Sequence, residues 1–103
     1  MQQEWLGEFL GCRIAVVNSM GVGLVTLRSI PLPKFSSHAK LYLDGVCVDT
    51  NPALLTSRRN PMLRGRVEQD GHNHVVEAFL FDKGLGVGCR VLVDGQEISL
   101  SKR

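Results

Sequence analysis

A nine-residue pattern occurs twice in this chain. Lys40-Leu41-Tyr42-Leu43-Asp44-Gly45-Val46-Cys47-Val48 recurs 50 residues later as Arg90-Val91-Leu92-Val93-Asp94-Gly95-Gln96-Glu97-Ile98. Each copy has a basic residue, three apolar residues and Asp-Gly, and then, two residues on, a branched aliphatic. Asp-Gly between apolar runs is a strong hairpin signal, because a type I′ turn needs positive φ at both central residues. A third Asp-Gly, Asp70-Gly71, lies between the runs Met62 to Glu68 and His74 to Asp82. Three such turns constrain the chain to antiparallel β structure.

The 103 residues fit one domain, 1–103, and the 44% apolar content is enough to bury one core. Turn signals at intervals of about ten residues predict an all-β fold, a small antiparallel β-sandwich or partly open barrel of about seven or eight strands. The repeat extends upstream at the same offset, with Val25 against Val75 and Ile30 against Leu80. This suggests an internal duplication over residues 24–50 and 74–100.

Register follows from the turn residues. With Asp70-Gly71 as the turn, Val67 faces His74, Gly65 faces Val76, Leu63 faces Ala78 and Arg64 faces Glu77. One face then carries Leu63, Val67, Val76, Ala78 and Leu80, and the other is polar except for Val75 and Phe79. In the repeated hairpins, Leu41, Leu43, Val46 and Val48 are expected inward, matched by Val91, Val93, Gln96 and Ile98. Lys40, Tyr42, Cys47 and Asp49 are expected outward.

Elsewhere the pattern is less regular. Trp5, Leu6, Phe9 and Leu10 stand at i, i+1, i+4 and i+5, which predicts a short N-terminal helix ended by Gly11. Arg13 to Asn18 reads as a strand, Ser19 to Gly23 as a turn, and Leu24 to Ile30 as a second strand stopped by Pro31 and Pro33. Residues 51–61 read as the longest irregular connection, with a helical turn at Ala53 to Leu55.

The strand, Gly-bearing connection and Asp-Gly hairpin around Cys89-Arg90-Val91-Leu92-Val93-Asp94-Gly95-Gln96-Glu97-Ile98 resemble the repeated hairpins of the Fas apoptotic inhibitory molecule family. The resemblance covers about a third of the chain and implies a β-sandwich without established catalysis; no functional residues come with it.

Chemistry-bearing groups are few. Net charge is +2, from 12 basic and 10 acidic side chains, too balanced to demand a polyanionic partner. The one concentrated charge is Arg58, Arg59, Arg64 and Arg66, which could grip phosphate or carboxylate and so bind nucleic acid or another anion. His72 and His74 lie on one side of a strand, as two metal ligands of a small metal-dependent enzyme could. No Gly-x-Ser-x-Gly elbow or phosphate loop is present. Asp44 and Asp94 are explained by turn geometry, so no catalytic residue and no cofactor is expected. Cys12, Cys47 and Cys89 have no ligand or redox spacing and read as buried thiols in a cytoplasmic protein without a disulfide framework or a membrane span.

The remaining candidates are apolar. Trp5, Leu6, Phe9 and Leu10, with Tyr42 on an outward face, suggest a contact surface. The expected function is therefore a non-enzymatic protein-interaction module, acting on a protein partner or as a homo-oligomer, most simply a homodimer. Anion or nucleic-acid binding is the alternative and metal-dependent catalysis the third.

Overall fold

Apolar residues alternate with polar ones along most of this chain, and the backbone responds with strands throughout. The structure, a computed structural model, describes residues 2–51, 62–82 and 86–103. In chain order the strands are β1 (Gln2–Phe9), β2 (Cys12–Leu27), β3 (Ile30–Leu43), β4 (Val46–Asn51), β5 (Leu63–Gln69), β6 (His72–Asp82), β7 (Val87–Val93), β8 (Gln96–Glu97) and β9 (Ser101–Lys102). They form two antiparallel sheets, ordered β4-β3-β2-β1-β9 and β5-β6-β7-β8. The fold is thus an all-β sandwich, and no helix is present among the described residues.

The core lies between the sheets. Ile14, Val16, Leu41 and Leu43 from the first sheet meet Leu63, Val76, Leu80, Val91 and Val93 from the second. Each fully buried aliphatic of this kind contributes roughly 1.5–3 kcal/mol of transfer free energy. The β5–β6 register is the one read from the sequence, from Gln69 opposite His72 to Leu63 opposite Ala78. Arg64 and Glu77 form the expected cross-strand ion pair at 3.2 Å. At Gly65 the sheets touch closely: a Cβ there would lie 2.9 Å from Val48 Cγ2.

The N-terminal segment is a strand, not a helix. Leu10 and Gly11 both have positive φ (48° and 83°), so they make the same two-residue turn as the Asp-Gly pairs. Phe9 then faces Cys12, and β1 pairs with β2 along its whole length. Trp5 enters the core and Phe9 packs against it, at the spacing of a strand that has one buried face. A helix would have carried Gly7 in its interior, at a cost of about 1 kcal/mol.

Residues 19–23 do not turn. β2 continues to Leu27, and the reversal comes at Arg28-Ser29, with φ of 52° and 65°. Pro31 and Pro33 lie within β3 rather than ending a strand, opposite Thr26 and Leu24. A proline is tolerated at a sheet edge where its missing N–H would face away from the partner. Residues 31 and 33 are two apart, so both can direct that position to the same open side.

A third correction concerns β4. A bulge between Leu41 and Tyr42 lets Tyr42 face Cys47 while Leu41 faces Asp49. The extra residue turns Asp49 toward β5. Val46, opposite Leu43, and Val48, beside Gly65, keep the expected side but are exposed rather than buried on this edge strand. Asp49 Oδ2 accepts the Arg64 backbone N–H at 2.8 Å, and Asn51 Nδ2 donates to the Met62 carbonyl at 2.8 Å. These two bonds tie β4 to the entry of β5 and close one side of the sandwich.

Candidate functional site

Both repeated turns use their carboxylates in the same way. The Asp44 N–H donates to the Arg13 carbonyl at 2.8 Å, and the Arg13 N–H donates to Asp44 Oδ1 at 2.9 Å. Asp94 makes the same exchange with Val75, at 2.9 Å in both directions. Each aspartate therefore lengthens the ladder of the neighbouring strand beyond the turn. The two side chains serve separate sheets, which accords with turn chemistry rather than a paired acid and base.

Asp94 has one further partner. His74 Nδ1 lies 2.5 Å from Asp94 Oδ2, and its ring meets Phe9 edge-on at 5.0 Å. An ionised carboxylate can only accept, so Nδ1 carries the proton. The His74 hydrogen bond, and then the Val75 N–H, hold the Asp94 carboxyl below its ordinary range. His72 is exposed beyond it. Among the described residues no three metal-ligating side chains gather.

Of the four arginines, Arg58 and Arg59 lie outside the described residues. Arg64 and Arg66 are exposed on one face of β5, with Arg64 held by Glu77. The cysteines divide. Cys12 is buried and Cys89 half-buried, and burial pushes both thiols up, Cys89 to about 12. Cys47 faces outward, opposite Tyr42, as its register predicts, but it is exposed and not the buried thiol expected, because β4 is an edge strand.

The apolar N-terminal set is split by strand alternation. Trp5 and Phe9 belong to the core, and Leu10 is exposed at the first turn. Leu6 points outward. It lies opposite Ala15, Ala15 opposite Tyr42, and Tyr42 opposite Cys47, a transverse row across four strands. Leu6, Ala15, Val17 and Tyr42 floor an open groove of about 860 Å³ on the outer face of the first sheet. Its charged rim has three carboxylates, Glu4, Glu8 and Asp44, against two guanidiniums, Arg13 and Arg103. Two interface candidates, Leu6 and Tyr42, therefore meet in one place although 36 residues separate them in the chain.

The other unusual surface is the β2–β3 ribbon. Among the described residues, β1 pairs with β2 as far as Ser19, and β4 with β3 as far as Ala39. From Met20 opposite Ser37 to Leu27 opposite Ile30, eight residue pairs continue with no third strand among the described residues. At about 3.3 Å per residue this ribbon is roughly 26 Å long. It matches the elongation of the molecule, whose extents are 59 × 27 × 24 Å. Near its tip Ile30 is 58% and Leu32 43% exposed.

No family model, curated protein or solved structure matches this chain. Nor is any helix among the described residues long and apolar enough to cross a membrane. Sequence reasoning missed the ribbon because its turn lacks glycine. Among the described residues the four other two-residue turns, at 10–11, 44–45, 70–71 and 94–95, all place glycine second. The available signal was the unbroken run from Arg13 to Leu27, which contains no Asp, Asn or Pro turn residue except Asn18.

Proposed function

We propose that this domain is a non-catalytic protein-contact module that assembles with copies of itself, and that the β2–β3 ribbon is its contact element. The observation that supports this is that no third strand among the described residues borders the ribbon. A two-stranded hairpin alone in water is marginally stable at best, yet this one extends eight residue pairs past its neighbours. It carries Ile30 and Leu32 exposed near the tip. Arg28 and Ser29 add to the case. Two non-glycine residues with positive φ cost of order 1 kcal/mol or more each, and such conformations concentrate at functional sites. Three of the polar groups singled out among the described residues are engaged structurally, Asp44 and Asp94 with backbone and Arg64 with Glu77.

A shortened variant tests the proposal. Gly21 and Ser36 are ladder partners, so residues 22–35 can be replaced by Asn-Gly to give a two-residue hairpin. Sedimentation velocity across a concentration series is expected to show self-association for the full chain. The shortened chain should stay monomeric with an unchanged near-ultraviolet circular dichroism spectrum. A full chain that sediments as a monomer at every concentration refutes the proposal.

A further inference from the structure

We infer that the tip of the ribbon from one copy docks in the outer-face groove of the next, so that copies join head to tail. This inference rests on the ribbon being the contact element and names the surface that receives it.

Three observations select the groove. The first is charge. Residues 20–37 contain Arg28 and Lys34 and no carboxylate. Arg28 is exposed at the turn of the ribbon, and the groove rim carries three carboxylates against two guanidiniums. Within that rim Arg103 lies 4.0 Å from Glu4, and Asp44 is occupied by the Arg13 backbone. Glu8 is exposed on the rim. It is the carboxylate best placed to receive Arg28.

The second is apolar complementarity. Ile30 and Leu32 are exposed two residues apart on one strand and so share a side of it. The groove supplies a floor of Leu6, Ala15, Val17 and Tyr42. An apolar floor with a polar rim is the anatomy of a specific protein contact.

The third is the state of the ribbon's edge. Pro31 and Pro33 remove two donors from β3 in the stretch that no third strand among the described residues borders. Proline on an edge strand blocks extension of the sheet by a further strand. That leaves side-chain contact through the tip as the mode of docking on this side. Because ribbon and groove are different surfaces of one chain, copies joined head to tail generate a ring or an open filament.

The test uses two exposed substitutions on the full chain, Arg28→Glu in the ribbon and Glu8→Arg in the groove. Sedimentation velocity should show each variant alone associating about tenfold or more weakly than the parent. An equimolar mixture of the two should associate again. In that mixture the intact ribbon of the Glu8→Arg chain meets the intact groove of the Arg28→Glu chain, and the charge-reversed ribbon of the second meets the charge-reversed groove of the first. Leu6→Lys serves as a second groove variant, expected to behave as Glu8→Arg does, with circular dichroism confirming the fold. If both groove variants associate like the parent while Arg28→Glu does not, the groove assignment is wrong and the ribbon reading stands. A mixture that remains monomeric overturns the head-to-tail geometry. A parent chain that never associates overturns both this inference and the reading beneath it.

Discussion

Asp94 does more than turn the chain. Its Oδ1 extends the β6 ladder through the Val75 N–H, and its Oδ2 orients His74 against Phe9, so one carboxylate links the second sheet to the first hairpin. The His74 hydrogen bond and the Val75 N–H lower the folded-state pKa of Asp94 below its ordinary value. A carboxyl whose folded pKa is depressed adds stability that is fully present above its unfolded pKa of about 4, and loses it as pH falls through the folded value. Asp94→Asn keeps an oxygen for the Val75 N–H but cannot titrate. The urea midpoint of the parent is therefore expected to exceed that of the variant at about pH 6, and the gap should close as pH falls below about 4. A gap that stays constant over that range contradicts the role given to the His74–Asp94 pair.

At the scale of elements, the bulge in β4 decides how the two sheets are joined. It turns Asp49 inward, so that one carboxylate accepts the N–H of Thr50 and that of Arg64 at the start of β5. Asp49→Ala leaves both donors without this acceptor and is expected to destabilise by about 1–3 kcal/mol. Chemical denaturation measures the loss, and amide exchange at Arg64 should rise with it. No change in either measurement removes the tie. The bulge was not legible in the sequence, because Val46-Cys47-Val48 alternates as a regular strand does. By contrast the β5–β6 hairpin was legible to the residue. Asp70-Gly71 places the turn, and the alternation of Leu63, Gly65 and Val67 permits one register. Trp5-Leu6 and Phe9-Leu10 misled because paired apolar residues four apart fit a helical face, while the actual turn, Leu10-Gly11, lacks the aspartate that marked the others. The ribbon was hidden by opposite errors: Gly21 and Gly23 imitate a turn, Pro31 and Pro33 imitate a stop, and the real turn is Arg28-Ser29. Of the candidate site, Leu6 and Tyr42 could each be singled out from sequence. That they share a groove depends on β1, β2 and β3 lying side by side, a long-range pairing that local pattern does not encode.

The whole molecule combines a sandwich with a shared core and a ribbon that leaves it. The backbone hydrogen bonds of β6 lie between β5 and β7, and Val76, Ala78 and Leu80 are buried among residues of both sheets. Opening them requires disrupting the core. The ladder of residues 20–37 is held by only two strands, and no third strand among the described residues must be displaced to open it. In dilute protein, amides of residues 20–37 are therefore expected to exchange about tenfold or more faster than those of β6, as local openings of low free energy do. Raising the concentration should slow exchange in the ribbon and on the outer face of β1, because docking covers the tip of one copy and the groove of another. Deuterium uptake followed by mass spectrometry over a concentration series measures both effects. If ribbon peptides are as protected as β6 in dilute protein, the ribbon is already covered within its own chain, and the reason for it to seek a partner is gone. If protection grows in the ribbon but not along β1, the copies meet through a different surface. Only joint protection of ribbon and groove corresponds to copies joined head to tail, since a symmetric contact between ribbons leaves the outer face of the first sheet open to solvent.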